Sequence, residues 1–296
     1  MASVLSISNI SKSYGSIKAL QNVSFEVPEG SVFGILGPNG SGKTTLLGTA
    51  LDVLKADSGT YSWFENMQPD EARRQLGALL ETPNFYHYLS AIDNLQIAAA
   101  IKHRGMDDRL RVLEQVNLLE RKDSKFQTFS LGMKQRLAIA SALLGSPRIL
   151  VLDEPTNGLD PAGIAEIREL IKALNSQGIT VIMASHLLDE VEKVCTHVAI
   201  LKKGTLLVSG DVNDVLHSED IIEVQSEDMA LLNRVITGMA GITNVRQANS
   251  MLLLSCQKNI QAQHVNQFCI DNGIVLSHLL LKKKSLETKF MELTNG

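Results

Sequence analysis

The sequence predicts an α/β fold followed by a smaller α+β domain. Three observations carry this. The apolar runs SVFGILG, ILVLDEP and ITVIMASH read as buried strands with helical periodicity between them, an alternation that builds a largely parallel sheet. The first of these strands runs through GPNGSGKT straight into a helix. After about residue 217 the order becomes β-α-β-β-α-β, the split βαβ or ferredoxin-like arrangement. The expected domains are residues 1–217 and 218–296.

Taken in order, VLSISNI and LQNVSFEV alternate and predict an N-terminal antiparallel β-lobe. SVFGILG predicts a buried strand, with a helix from Thr44. Beyond Pro69, apart from a strand at QLGALL, the pattern turns helical. Segments such as AIDNLQIAAAIK and DRLRVLEQVNLLE predict a helical lobe over about 82–145. FSLGMKQRLAIA places a serine and a glycine at the mouth of a buried helix read from Leu137 to Leu144. AGIAEIRELIKALNSQG is an amphipathic helix closed by Gly178, and AILKKGTLLVSG a hairpin turning at Lys203-Gly204. A last helix is expected at SLETKFMELT.

The 296 residues are 44% hydrophobic and 20% charged, with a net charge of −4. That acidic balance argues against a nucleic-acid partner, whose footprint is basic. The cluster Lys282, Lys283 and Lys284 reads as a solvated edge. Three scattered cysteines, Cys195, Cys256 and Cys269, give no disulfide framework or zinc spacing and fit a reducing cytosol. The N-terminus does not read as a signal peptide, and no stretch approaches the roughly 18 apolar residues of a membrane helix. Any membrane role is expected to come through a partner.

Gly37, Gly42, Lys43 and Thr44 match G-x-x-x-x-G-K-[ST]. The glycines let backbone N–H groups close around a β-phosphate, Lys43 neutralises the β- and γ-phosphates, and the Thr44 hydroxyl suits magnesium. The nucleotide cradle is Gly37, Pro38, Asn39, Gly40, Ser41, Gly42, Lys43, Thr44 and Thr45. Asp153 and Glu154 end a buried strand, where open α/β sheets place their sites. Asp153 is placed to hold magnesium through its water shell, and Glu154 to polarise an attacking water. His186 ends another strand and is a candidate γ-phosphate contact; a structural histidine is the other reading. SLGMKQ offers a second helix mouth suited to an anion, or an ordinary turn in which Ser130 caps its own helix.

The ordered set GPNGSGKT, SLGMKQ, ILVLDEP, NGLD and ASH resembles the nucleotide-binding subunit of ATP-binding cassette (ABC) transporters, over about residues 3–215. The resemblance implies a RecA-like core, ATP hydrolysis with ATP and Mg2+ as cofactors, and a head-to-tail dimer enclosing two ATP molecules. It implies separate integral membrane permease subunits as further partners, at the cytoplasmic face of the membrane. Ser130 and Gly132 would contact the γ-phosphate held by a second copy. Tyr14 would stack on adenine, and Asp160 would link the two active sites. The family's loop after QLGALL normally begins with glutamine; here it is Glu81, whose carboxylate would face magnesium while adding negative charge near the triphosphate. GALLETPNFYHYLSAIDNL resembles the branch serving ABC-2-type exporters, including those for peptide antibiotics and bacteriocin self-protection. Phe85, Tyr86 and Tyr88 fit either an interface, where the family seats a short permease helix, or a local core beneath the helical lobe. The alternatives are a soluble ABC ATPase without a transport role and a P-loop switch or kinase. The first usually carries coiled-coil insertions or two cassettes, and the second has no need of SLGMKQ.

Overall fold

The computed structural model describes the chain apart from residues 1, 66, 81–83, 218–220, 249, 258–259, 283–289 and 291–296. Glu81 and nearly all of the expected last helix therefore lie outside the described residues. The chain divides into two compact units, Met1–Gly210 and Asp211–Gly296.

The first unit opens with β1 (Ser3–Tyr14) and β2 (Ile17–Pro28), paired antiparallel with a register that shifts between Ile7 and Ile10. Their alternating burial puts Leu5, Ile7, Val23, Phe25 and Val27 on the core side. Strand β3 (Val32–Leu36) is wholly buried and leads into α1 (Lys43–Ala50), one residue ahead of the expected start. β4 (Ser58–Trp63) pairs antiparallel with the other edge of β1, completing a sheet of order β2-β1-β4. A short helix α2 (Pro69–Arg74) precedes β5 (Leu76–Leu79).

The helical lobe holds α3 (Ala91–Lys102), α4 (Arg109–Gln115) and α5 (Leu131–Leu143). α5 begins well before Leu137. The polar residues Lys134 and Arg136 broke the apolar run that marked the helix in the sequence, while Ser130 starts it as N-cap. Then come β6 (Ile149–Asp153), α6 (Pro161–Ser176), β7 (Thr180–Ser185), α7 (Leu188–Val194), β8 (His197–Lys202) and β9 (Thr205–Asp211). Lys203 and Gly204 both take positive φ, as a two-residue hairpin requires.

These strands form a six-stranded sheet, β5-β6-β7-β3-β8-β9, parallel from β5 through β8. Burial on both faces explains why β3, β6 and β7 read as unbroken apolar runs rather than alternations. The core joins Ile35, Val151 and Ile182 of this sheet to Leu46 and Leu47 of α1 and to the β-lobe, where Phe25 stacks on Phe33 at 5.3 Å.

The second unit holds α8 (Val212–His217), β10 (Ile221–Ser226), α9 (Met229–Thr237), β11 (Ile242–Ala248), β12 (Met251–Cys256), α10 (Ala262–Asp271) and β13 (Leu276–Lys282). Its antiparallel sheet has the order β11-β12-β10-β13, which is the ferredoxin-like order of a split βαβ. Ile222, Val224, Leu252 and Leu254 meet Leu232, Ile236, Val265 and Cys269 of α9 and α10 in a core of its own.

Candidate active site

Sheet order alone brings the sequence motifs together. β6, β7 and β3 are neighbours, with Leu36 in register with Ser185 and Asp153 with Ala184. Their carboxyl ends therefore open side by side on one rim, where an open α/β sheet places its ligand.

The loop after β3 is shaped by what cannot fit in it. A Cβ on Gly37 would lie 2.3 Å from Ser41 Oγ and 2.5 Å from the Leu201 carbonyl oxygen. One on Gly42, at φ +106°, would lie 2.4 Å from the carbonyl oxygen of Ala19. Gly40 has φ +78° and open space around it. The hairpin turn braces the loop from outside: Gly204 N–H donates to Ser41 carbonyl at 2.9 Å. Pro38, Asn39 and Thr45 complete the stretch, and Ser41 Oγ is buried with no hydrogen-bond partner among the described residues. The ammonium of Lys43 curls back over the loop, donating to Gly37 carbonyl at 2.8 Å and Pro38 carbonyl at 3.4 Å.

Across the rim, Thr44 Oγ1 donates to Asp153 Oδ2 at 2.7 Å. Asp153 is 5% exposed. Glu154 follows with φ +49°, a left-handed conformation costing a non-glycine residue about 1 kcal/mol or more. That turn leaves its N–H bonded to the Ala184 carbonyl at 3.0 Å. The carboxylate swings between two groups, with Oε1 3.3 Å from Lys43 Nζ and Oε2 2.8 Å from His186 Nδ1. Thus Lys43, Thr44, Asp153, Glu154 and His186 form one constellation.

Four expected site residues stand apart from it. Ser130 caps α5, its Oγ accepting from Met133 N–H at 3.2 Å. Asp160 caps α6, accepting from Gly163 N–H at 2.9 Å. Both, with Gly132, line a hollow of about 470 Å³ between α5 and α6 that contains none of the P-loop residues. Tyr14 ends β1, 47% exposed, with Lys12 Nζ 5.6 Å from its ring centre.

A family model described as "ABC transporter" matches residues 20–157. The chain is 39% identical to an uncharacterized ABC transporter ATP-binding protein, YdbJ, of Bacillus subtilis (strain 168), over 99% of this chain and 96% of that protein. It is 35% identical to the bacitracin transport ATP-binding protein BcrA of Bacillus licheniformis, over 100% of this chain and 99% of that one. This chain belongs to the ABC transporter ATP-binding proteins. Among solved structures it resembles the dimeric post-hydrolysis state of the ATP-binding cassette MJ0796 bound to ADP and Pi. The TM-score is 0.61 and the identity 29%, over 70% of this chain and 98% of that one.

As an ABC transporter subunit it binds and hydrolyses ATP. Among its described residues no helix is long and apolar enough to cross a membrane. The aromatic segment of this ABC cassette divides between the two readings left open. Phe85, half-buried, packs edge-on against the buried Phe126, ring centres 5.2 Å apart, on the side of the lobe's core. Tyr86 and Tyr88 are 51% and 65% exposed. Beside them lies a groove of about 510 Å³ lined by Leu79, Leu80, Tyr86, Ile97, Ile101 and neighbours, none of them charged.

Two supports of that groove escaped sequence reading. Buried Asn94 holds the Tyr86 backbone from both sides, accepting from its N–H at 2.8 Å and donating to its carbonyl at 3.1 Å. Nothing local in the sequence announces such a contact. Ser90 and Asp93 form a capping box at the start of α3, and that one was findable: S-x-x-[DE] before an apolar run is its signature.

Proposed function

We propose that this ATPase drives an exporter: two copies bind MgATP, close head to tail, and act on separate membrane-embedded permease subunits from the cytoplasmic face. The observation that carries the reading is the separation of two anion-suited sites within one chain. The P-loop rim covers one side of a triphosphate, and the Ser130–Gly132 turn lies in a different hollow, so a second copy must supply it.

The roles follow from position. Backbone N–H groups of Gly40, Gly42, Lys43 and Thr44 face the phosphates, and Lys43 exchanges its carbonyl partners for phosphate oxygens. Glu154, held by His186, orients and deprotonates the attacking water. Thr44 Oγ1 and Asp153 Oδ2, hard oxygens already 2.7 Å apart, fit Mg2+, which keeps several waters and shares substrate phosphates rather than needing a full protein cage. When bound, Mg2+ would neutralise charge on the β- and γ-phosphates. Tyr14, exposed at the strand end, is free to stack on adenine, and Asp160 reaches the second site through its place beside Ser130. ATP favours the closed dimer because its γ-phosphate joins both copies; ADP lacks that group. The likeness to a bacitracin transport protein supports peptide antibiotics as the cargo class.

The test is a sizing column. Glu154→Gln should elute as a dimer with ATP and as a monomer with ADP. Adding Gly132→Asp should return it to monomer, through clash and like charge against phosphate. An added Cβ at Gly132 meets only Leu159 at 4.0 Å, so the single chain tolerates the change. A dimer that survives Gly132→Asp would refute the shared pocket. For cargo, co-expression with the neighbouring permease should raise cellular resistance to bacitracin-type peptides.

A further inference from the structure

The strand pair that carries Tyr14 abuts the P-loop. The Ala19 carbonyl oxygen of β2 would lie 2.4 Å from a Cβ on Gly42 and 2.6 Å from one on Gly204, in the turn that braces the loop. Gln21 N–H donates to the Gly204 carbonyl at 2.8 Å. Tyr14 is paired with Ile17, two residues from Ala19 and so about 7 Å along the strand. That short span puts the Tyr14 ring within reach of a base whose triphosphate sits in the P-loop. The end of β1 is irregular. Its last pair with β4 joins Ser11 to Ser58, and its register against β2 shifts on either side of Lys12. Lys12, Ser13 and Tyr14 thus run past the first residue of β4. Asp57, the residue just before that strand, grips them instead. Its N–H donates to the Ser11 carbonyl at 2.9 Å, its Oδ1 accepts from Lys12 Nζ at 2.9 Å, and its Oδ2 accepts from Ser13 N–H at 2.6 Å. Lys12, then the Ser13 N–H, hold the Asp57 carboxyl below its ordinary value, so the grip is charged at neutral pH. Lys12 itself is only 18% exposed, and its ammonium lies over the Tyr14 ring, 5.6 Å from the centre. One face of the ring is thereby occupied, while the residue as a whole remains exposed.

We propose that Asp57 and Lys12 are positioning residues for the nucleotide base: Asp57 clamps the end of β1 and the Lys12 ammonium, and Lys12 holds the Tyr14 ring from one side so that its other side receives adenine. This rests on the proposed stacking of Tyr14 on adenine and adds what orients the ring. Two physical effects give the pair its influence. A tyrosine at a free strand end samples several rotamers, and ordering it on binding costs affinity; a ring already held avoids most of that cost. A cation against one face of a ring draws electron density toward itself and favours an electron-rich π-system, such as a purine, on the opposite face. As an exposed ion pair the Lys12–Asp57 contact contributes little to folding, so its effect is expected at the base rather than in stability.

The experiment separates base from phosphates. The full chain with Mg2+ is titrated with ATP and with inorganic tripolyphosphate, each in competition with a fluorescent ATP. Tyr14→Ala should lower ATP affinity about tenfold and leave tripolyphosphate affinity as it was. Lys12→Gln and Asp57→Ala should each lower ATP affinity about fivefold, again without touching tripolyphosphate. Lys12→Arg, which keeps the charge over the ring, should bind ATP as the parent does. Made in the Tyr14→Ala chain, neither Lys12→Gln nor Asp57→Ala should lower ATP affinity further, because both act through the ring. Equal losses for ATP and tripolyphosphate, or a full loss that persists in the Tyr14→Ala chain, overturn the inference. If Tyr14→Ala leaves ATP affinity unchanged, the adenine reading of Tyr14 fails and this inference with it. If Tyr14→Ala has its effect while Lys12→Gln and Asp57→Ala have none, only the role of the pair falls.

Discussion

Two glycines only two residues apart in the P-loop, Gly40 and Gly42, would respond differently to the same methyl group. At Gly42 an alanine meets both a backbone carbonyl 2.4 Å away and a φ of +106°. Gly42→Ala should cost about 2 kcal/mol or more and abolish measurable ATP affinity in a fluorescent-nucleotide titration. Gly40→Ala meets only its positive φ and should cost about 1 kcal/mol. Glu154→Gln keeps the size of the side chain and removes its proton affinity. It should leave ATP affinity near normal and lower steady-state hydrolysis about 10²-fold or more; comparable turnover would remove Glu154 from the role of base. Lys102 gives a pH signature. Burial, with neighbouring Arg104 adding to it, sets its folded value at about 8, below its ordinary 10.5, so between those values the unfolded chain binds more protons and stability climbs with pH. In urea titrations the climb should be smaller in Lys102→Met than in the parent.

At the scale of elements, helix starts do much of the positioning. Ser90, Ser130 and Asp160 each accept an N–H from their own first turn. Ser90→Ala should lower stability by about 1 kcal/mol and loosen α3, read as faster amide exchange across Ala91–Leu95. The same scale shows what was legible beforehand. The buried strands were plain because two-sided burial leaves an apolar run no polar residue interrupts. The P-loop was plain because its glycines answer a local steric demand. α5 was read short because Lys134 and Arg136 sit inside it, and only its Ser130 cap reveals the true start. The pairing of Glu154 with Lys43 and His186 joins the start of α1 to the residues that follow β6 and β7, and the grip of Asn94 on Tyr86 depends on a loop folding over a helix. Neither has a period to detect. A hollow lined by Arg73, Arg74, Lys102, His103 and Arg104 likewise joins α2 to the end of α3, so its charges lie in two short runs nearly thirty positions apart.

For the whole molecule, the two units each hold a closed core, Ile35 with Val151 in one and Val224 with Leu254 in the other. Leu254→Ala should cost the second unit about 2–5 kcal/mol, while ATP titration of the first unit stays unchanged; a parallel loss of ATP affinity would show that the units are energetically coupled. The ammonium of Lys43, meanwhile, donates to two carbonyls of its own loop, Gly37 and Pro38. Anion capture here is thus an exchange of partners rather than a net gain. A lone orthophosphate ion, offering few contacts in return, competes poorly, and only a longer polyphosphate repays the swap.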